Sequence, residues 1–157
     1  MSYLKAKHLS ELLISRGLTI SVAESCTGGS LSSSLTSISG ASSYFNCGYI
    51  TYSNQSKIDM LGVKPESIEI YGAVSEKVAH EMVMGSSQRS LSNIAVSITG
   101  IAGPSGGSAL KPVGMVCIGF FFNDDVTTTT QFFKGSRSDI VSQSITYALV
   151  ELSSKLS

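Results

Sequence analysis

The chain is poor in charge and in the side chains that usually bind metals. Only 14% of its 157 residues are charged, and 11 basic groups cancel 11 acidic ones. Disorder needs high net charge and little apolar content. A nucleic-acid surface needs a basic excess. Both are excluded as expectations. Cys26, Cys47 and Cys117 are odd in number and lack C-x-x-C spacing. They read as reduced thiols of a cytoplasmic protein, not as a disulfide framework. His8 and His80 have no ligand-spaced partner, so neither a metal nor another cofactor is expected. No apolar run approaches the about 18 residues of a membrane span. Met1 to Arg16 shows no basic n-region, apolar h-region and small-residue cleavage site, and no membrane partner is expected. With no repeat and no linker, the reading is one domain over residues 1–157, long enough to bury a core.

What abounds is serine, 31 residues in all, which makes any single serine suspect as a catalytic group. Around these serines the apolar pattern alternates between two periods. Leu4, Leu9, Leu12 and Leu13 recur at helical spacing, and Gly17 follows as a stop. Thr19 to Ala23 reads as a strand, Glu24 to Gly29 as a turn and Ser30 to Ile38 as a helix. Tyr44 to Tyr52 is aromatic and β-branched, a strand, and Ser56 to Leu61 a short helix. Ser75 reads as the N-cap of a helix over Glu76 to Arg89. Ile94 to Thr99 is a nearly continuous apolar strand, as expected when both faces are covered. Gly100 to Gly107 is a glycine-rich loop. Val113–Phe122 and Val126–Phe133 are strands joined at Asn123-Asp124-Asp125. Ser136 to Leu152 closes as a helix. The expected architecture is a three-layer α/β/α domain on a mixed, mostly parallel sheet. Sites in such sheets form where loops leave the carboxyl ends of strands.

Two serines stand out. Gly103-Pro104-Ser105-Gly106-Gly107 fits G-x-S-x-G, but a nucleophile elbow needs a helix after the serine, and here a β run follows. Both histidines precede Ser105, against the order of an α/β-hydrolase. A turn or a ligand-cradling loop is the simpler reading. Ser25 sits at a strand end, before Gly28, Gly29 and a helix. Such a turn can present backbone N–H groups to an oxyanion or a phosphate, although Ser25 or Thr27 can equally be a helix cap. A nucleophilic serine also needs a base, and without a usable histidine the remaining candidate is lysine. Lys57, beside Ile58, Met60 and Leu61, follows Tyr52 by five residues. Neutrality at pH 7 would require burial or a nearby positive charge, since a free lysine titrates near 10.4. A surface lysine and a packed tyrosine are the plain alternative.

Five segments in order, Ala23-Glu24-Ser25-Cys26-Thr27-Gly28-Gly29, Tyr52-Ser53-Asn54-Gln55-Ser56-Lys57, Gly72-Ala73-Val74-Ser75, Thr99-Gly100-Ile101-Ala102-Gly103-Pro104 and Lys111-Pro112-Val113-Gly114, resemble the CinA C-terminal domain, the nicotinamide-nucleotide amidohydrolase family. The likeness spans roughly residues 5 to 152, and it is to the stand-alone form, without the molybdopterin-binding-like domain of longer members. It implies deamidation of nicotinamide mononucleotide without a metal. Ser25 would be the nucleophile, Lys57 its base and Tyr52 a proton relay. Thr27, Gly28 and Gly29 would supply oxyanion donors. The substrate phosphate would use Thr99, the loop of Gly100 and Gly103, or Arg137. Departures from the family pattern fall at Ala109, at Ser105 and at Ser136 in Gly135-Ser136-Arg137. A nucleotide-binding or regulatory module with little catalysis is the alternative. The aromatic run Phe120-Phe121-Phe122 makes a homodimer the expected assembly.

Overall fold

The computed structural model describes residues 2–157. Its elements are α1 (Ser2–Arg16), β1 (Ile20–Glu24), α2 (Ser30–Thr36), a 3₁₀ turn (Ala41–Ser43), β2 (Phe45–Ile50), α3 (Asn54–Leu61), α4 (Pro65–Tyr71), α5 (Glu76–Ser90), β3 (Ile94–Gly100), β4 (Met115–Phe122), β5 (Asp125–Phe132) and α6 (Arg137–Leu156). One five-stranded sheet has the order β2-β1-β3-β4-β5. β1 pairs in parallel with β2 and β3, whereas β3–β4 and β4–β5 are antiparallel. Four strands therefore share one direction and β4 alone opposes them. The expected three-layer domain on a mixed sheet is the one formed.

Strand alternation separates the two faces. Ile20 and Val22 of β1, Ile94, Val96 and Ile98 of β3, and Val116, Ile118 and Phe120 of β4 join one apolar cluster with residues of α1, α2 and α6. The opposite face carries small or polar residues: Ser21, Ala23, Ala95, Ser97 and Gly119. Here α5 lies close enough for Ser97 Oγ to donate to the Ala79 carbonyl at 2.6 Å. A Cβ on Gly119 would stand 2.8 Å from that same carbonyl oxygen. The narrow side chains of this face are what lets α5 settle directly on the sheet. A second, smaller cluster of Ala23, Leu61, Val63, Val78 and Met82 ties α3 and α5 to it.

Several boundaries differ from the sequence reading, each for a local reason. β2 stops at Ile50: the Thr51 N–H still bonds the Glu24 carbonyl at 2.8 Å, but the Thr51 and Tyr52 carbonyls are engaged by a lysine. α3 starts at Asn54, two residues early, because Ser53 Oγ accepts from Ser56 N–H at 3.1 Å and caps it. α4 escaped the apolar pattern; its signal was Pro65 at the first helical position followed by Glu66. The β4–β5 turn has two residues, Asn123 and Asp124, both at positive φ, and Asp125 already pairs with Phe122. Ser75 caps α5 as expected, accepting from Val78 N–H at 3.2 Å. Phe120 lies in the main core and Phe122 packs against it. Phe121 points to the other face of the sheet and, like Phe122, is half-buried.

Candidate active site

After β1 the chain passes through α2 to β2 on one side, then through α3, α4 and α5 to β3 on the other. The strand order therefore switches around β1, and a crevice opens beyond the carboxyl ends of β1 and β3. A cavity of about 260 Å³ lies there. That is below the roughly 300–1,000 Å³ of typical small-molecule sites, so it fits the reacting end of a small molecule. Ser25, Tyr52, Lys57, Thr99, Gly100, Gly103 and Arg137, scattered over more than a hundred residues, all line it. Thr27, Gly28 and Gly29 are not among its lining residues. A wider concavity of about 730 Å³ between α2 and α6 shares only Arg137 with it, and its walls are mostly serine. The titratable chemistry is in the smaller one.

Lys57 sits one turn into α3 and is 1% exposed. Its Nζ donates to the carbonyls of Thr51 at 2.8 Å and Tyr52 at 3.3 Å, and lies 2.9 Å from Ser25 Oγ. Among the described residues the only ion pair joins Lys77 to Glu81, so no carboxylate neutralises Lys57. Burial lowers its pKa from 10.5 to about 8; the Cys26 thiol opposes this weakly. The three partners suit both protonation states. The ammonium has an N–H for each oxygen. The neutral amine keeps two N–H groups for the two carbonyls, which can only accept, and turns its lone pair to the Ser25 hydroxyl. That is the arrangement of a serine with its base. Ser25 is 8% exposed, and its N–H bonds the Ile98 carbonyl at 2.9 Å, which extends the β1–β3 ladder and fixes the serine at the strand end.

Tyr52 contacts Lys57 through its carbonyl, not its phenol. The phenol oxygen accepts from Arg137 Nη2 at 2.8 Å, and Arg137 Nη1 donates to the Gly103 carbonyl at 2.8 Å. Arg137 thus bridges two walls of the cavity mouth through neutral acceptors, and its charge is unpaired. Thr99 Oγ1 donates to the Ala73 carbonyl at 2.9 Å, holding a third loop against the cavity. Ser105 lies in the rim, and neither Lys57 nor any histidine is hydrogen-bonded to it among the described residues. Cys26 also lines the cavity, but burial raises its thiol pKa to about 11. It is protonated at neutral pH and is no thiolate nucleophile.

In the Ser25–Gly29 turn, Gly28 and Gly29 take φ of +56° and +101°, the left-handed region glycine enters freely. Their N–H groups are already engaged. Gly28 donates to the Ser25 carbonyl at 3.0 Å and Gly29 to the Glu24 carboxylate at 3.2 Å. Thr27 Oγ1 donates to the same carboxylate at 2.6 Å. Among the described residues, the N–H groups of Cys26 and Thr27 donate to no other residue. Glu24, Asn54, Ala73, Val74, Ile101 and Ala102 belong to the site or its support without a role expected from the sequence. The signal for Glu24 was an acidic residue set just ahead of a helix N-terminus. The signal for Ala73 and Val74 was the Gly72–Ser75 segment.

Fold and site together define an α/β protein with a buried lysine–serine pair at a topological switch point. Residues 3–156 match the model of the CinA C-terminal domain, and the chain belongs to that family. It is 57% identical over 113 residues to a CinA-like protein of Chloroherpeton thalassium, covering 72% of this chain and 27% of that one. It is 46% identical over 138 residues to nicotinamide-nucleotide amidohydrolase PncC of Enterobacter agglomerans, covering 87% of this chain and 84% of that one. The chain spans about a quarter to a third of the length of the CinA-like and competence-damage inducible relatives it matches. A crystal structure of a CinA superfamily protein from Klebsiella pneumoniae superposes with a TM-score of 0.96 at 31% identity, over 99% of this chain and 98% of that one.

Proposed function

We propose that the protein hydrolyses the carboxamide of nicotinamide mononucleotide to nicotinic acid mononucleotide and ammonia, a step of pyridine-nucleotide salvage in the cytoplasm. The observation that carries this reading is the buried Lys57 Nζ, unpaired by any acid, 2.9 Å from Ser25 Oγ. The activity named for the Enterobacter agglomerans relative supplies the substrate.

In this reading neutral Lys57 takes the Ser25 proton as Oγ attacks the carboxamide carbon. The C=O becomes an oxyanion, met by the free N–H groups of Cys26 and Thr27. Collapse breaks the C–N bond. The leaving nitrogen takes a proton from protonated Lys57 or, through the relay, from Tyr52, and departs as ammonia. Water, deprotonated by Lys57, then cleaves the acyl-serine ester and releases the acid. Support for Tyr52 as a proton donor is that the residue lines the same cavity and its phenol is held there by Arg137. Support for Arg137 as phosphate ligand is its unpaired guanidinium at the mouth, which a phosphate can claim from two neutral oxygens. Thr99, Gly100 and Gly103 line the same cavity and stand as further substrate contacts.

The test is to incubate the purified protein with nicotinamide mononucleotide and quantify ammonia and the acid product. Ser25→Ala and Lys57→Ala are expected to lose at least ~1,000-fold in kcat, while Ser105→Ala stays within a few-fold of wild type. A wild type that binds the nucleotide and leaves it intact would instead establish a binding module.

A further inference from the structure

Glu24 is fully buried, bears a carboxylate and has no part in the mechanism above. Strand alternation at the end of β1 explains where it points. Ile20 and Val22 face the α1–α2–α6 layer, and Glu24 continues that row. Ser25 continues the other row, toward α3 and Lys57. Two adjacent residues thus deliver the nucleophile to one layer and a carboxylate to the other.

That carboxylate is saturated. Its Oε1 accepts from Thr27 Oγ1 at 2.6 Å, Gly29 N–H at 3.2 Å and Leu31 N–H at 2.9 Å. Its Oε2 accepts from Ser32 N–H at 2.9 Å and Ser32 Oγ at 2.6 Å. It therefore fills the N-terminus of α2, the place where a turn of this kind would otherwise receive a ligand's anion. Its backbone carbonyl meanwhile accepts from Thr51 N–H at 2.8 Å, and Thr51 is the residue whose carbonyl holds Lys57. The geometry points to Glu24 as a positioning residue. Its side chain clamps the Cys26–Gly29 turn onto α2, and so sets both the Ser25 hydroxyl against Lys57 and the free Cys26 and Thr27 N–H groups toward the reacting carbonyl. The N-terminus of α2 is closed to substrate by the protein's own anion, and the substrate's phosphate must be read elsewhere.

The inference rests on Ser25 acting as the nucleophile. Its test uses a reagent that reports Ser25 reactivity without any assumption about the substrate. A fluorophosphonate bonds its phosphorus to Ser25 Oγ and expels fluoride, with the proton passing to Lys57. Labelling is followed by mass spectrometry across pH. In Glu24→Gln an N–H₂ would face the Ser32 N–H, so the turn shifts. Labelling is expected to slow about 100-fold, the effect of a displacement near 1 Å. The pH midpoint of labelling is expected to stay where wild type has it. Nicotinamide mononucleotide should bind Glu24→Gln/Ser25→Ala within twofold of Ser25→Ala alone. Ser32→Ala, which removes one hydrogen bond and keeps the buried charge, is expected to slow labelling about fivefold, and it decides the matter if Glu24→Gln does not fold. Labelling of either variant at the wild-type rate overturns the inference. So does a Glu24→Gln protein in which the pH midpoint or the binding moves along with the rate, since that is general collapse of the site. A wild type that labels at Ser25 but leaves the nucleotide intact removes the substrate reading alone, and the labelling rates and midpoints still judge Glu24. A wild type in which Ser25 resists the reagent overturns both.

Discussion

In the proposed mechanism Lys57 sets the pH dependence of the reaction, and its burial sets a pH dependence of stability. As a base it must be neutral, and burial places its pKa at about 8. The rate of Ser25 acylation, read as kcat/KM, is therefore expected to rise about tenfold per pH unit below 8 and to level off above it. A pH–rate profile with a flat approach from pH 6 would contradict Lys57 as base. For stability, the folded pKa of about 8 lies below the ordinary 10.5. Below pH 8 the folded and unfolded chains both hold the proton, and the folded state bears the full cost of a buried charge. Between pH 8 and 10.5 the folded state releases the proton first, so stability rises with pH across that window. Wild type is expected to gain about 2 kcal/mol between pH 8 and pH 10 that Lys57→Met does not gain. Urea melts of the two proteins at those pH values check it, and parallel changes would remove the burial argument.

At the scale of elements, the placement of α5 depends on what the sheet omits. Ser97 and Gly119 are small, and Gly119 would put a Cβ 2.7 Å from Ser97 Oγ and 2.8 Å from the Ala79 carbonyl oxygen. Those are positions no real Cβ tolerates, and the nearer backbone atom belongs to a buried helix that cannot yield cheaply. Gly119→Ala is expected to cost about 2–3 kcal/mol as overpacking, measured as a lowered urea midpoint. A loss under about 0.5 kcal/mol would show that α5 can slide. The position was not legible in the sequence, where Gly119 sits inside a continuous apolar run and reads as one more strand residue. Its meaning comes from Ala79 of α5, forty residues earlier in the chain. Elements marked by their own punctuation fared differently. Ser75 announced α5, and Asn123-Asp124 announced the hairpin, because a cap and a two-residue turn are satisfied by neighbours along the chain.

The whole molecule holds together with almost no help from ion pairs. Among the described residues the one ion pair is Lys77–Glu81 at 3.8 Å, with the lysine side chain half exposed, and the formal charges of the chain sum to zero. Stability is expected to be nearly indifferent to salt, with Tm moving less than about 3 °C between roughly 0.05 and 0.5 M NaCl. Calorimetry in the two buffers tests it; a larger change would point to charge interactions beyond this pair. No helix of the described residues is long and apolar enough to cross a membrane.

Composition and local pattern were enough to fix the class of fold, most of the elements and the ordered segments that carry the family likeness, since periodicity, caps and turns are properties of near neighbours. They also brought Ser25, Tyr52 and Lys57 forward from among 31 serines and a handful of other polar groups, although spacing alone could not tell a buried lysine from a surface one. Only the tertiary structure decided that. Whether Lys57 is buried, what its three hydrogen-bond partners are, whether the phenol of Tyr52 faces it or Arg137, and whether the glycine N–H groups are free or already taken by Glu24 depend on residues brought together from different strands and helices. The physical reason is that solvation and hydrogen-bond satisfaction are set by the three-dimensional surroundings of a group, which its place in the chain does not record.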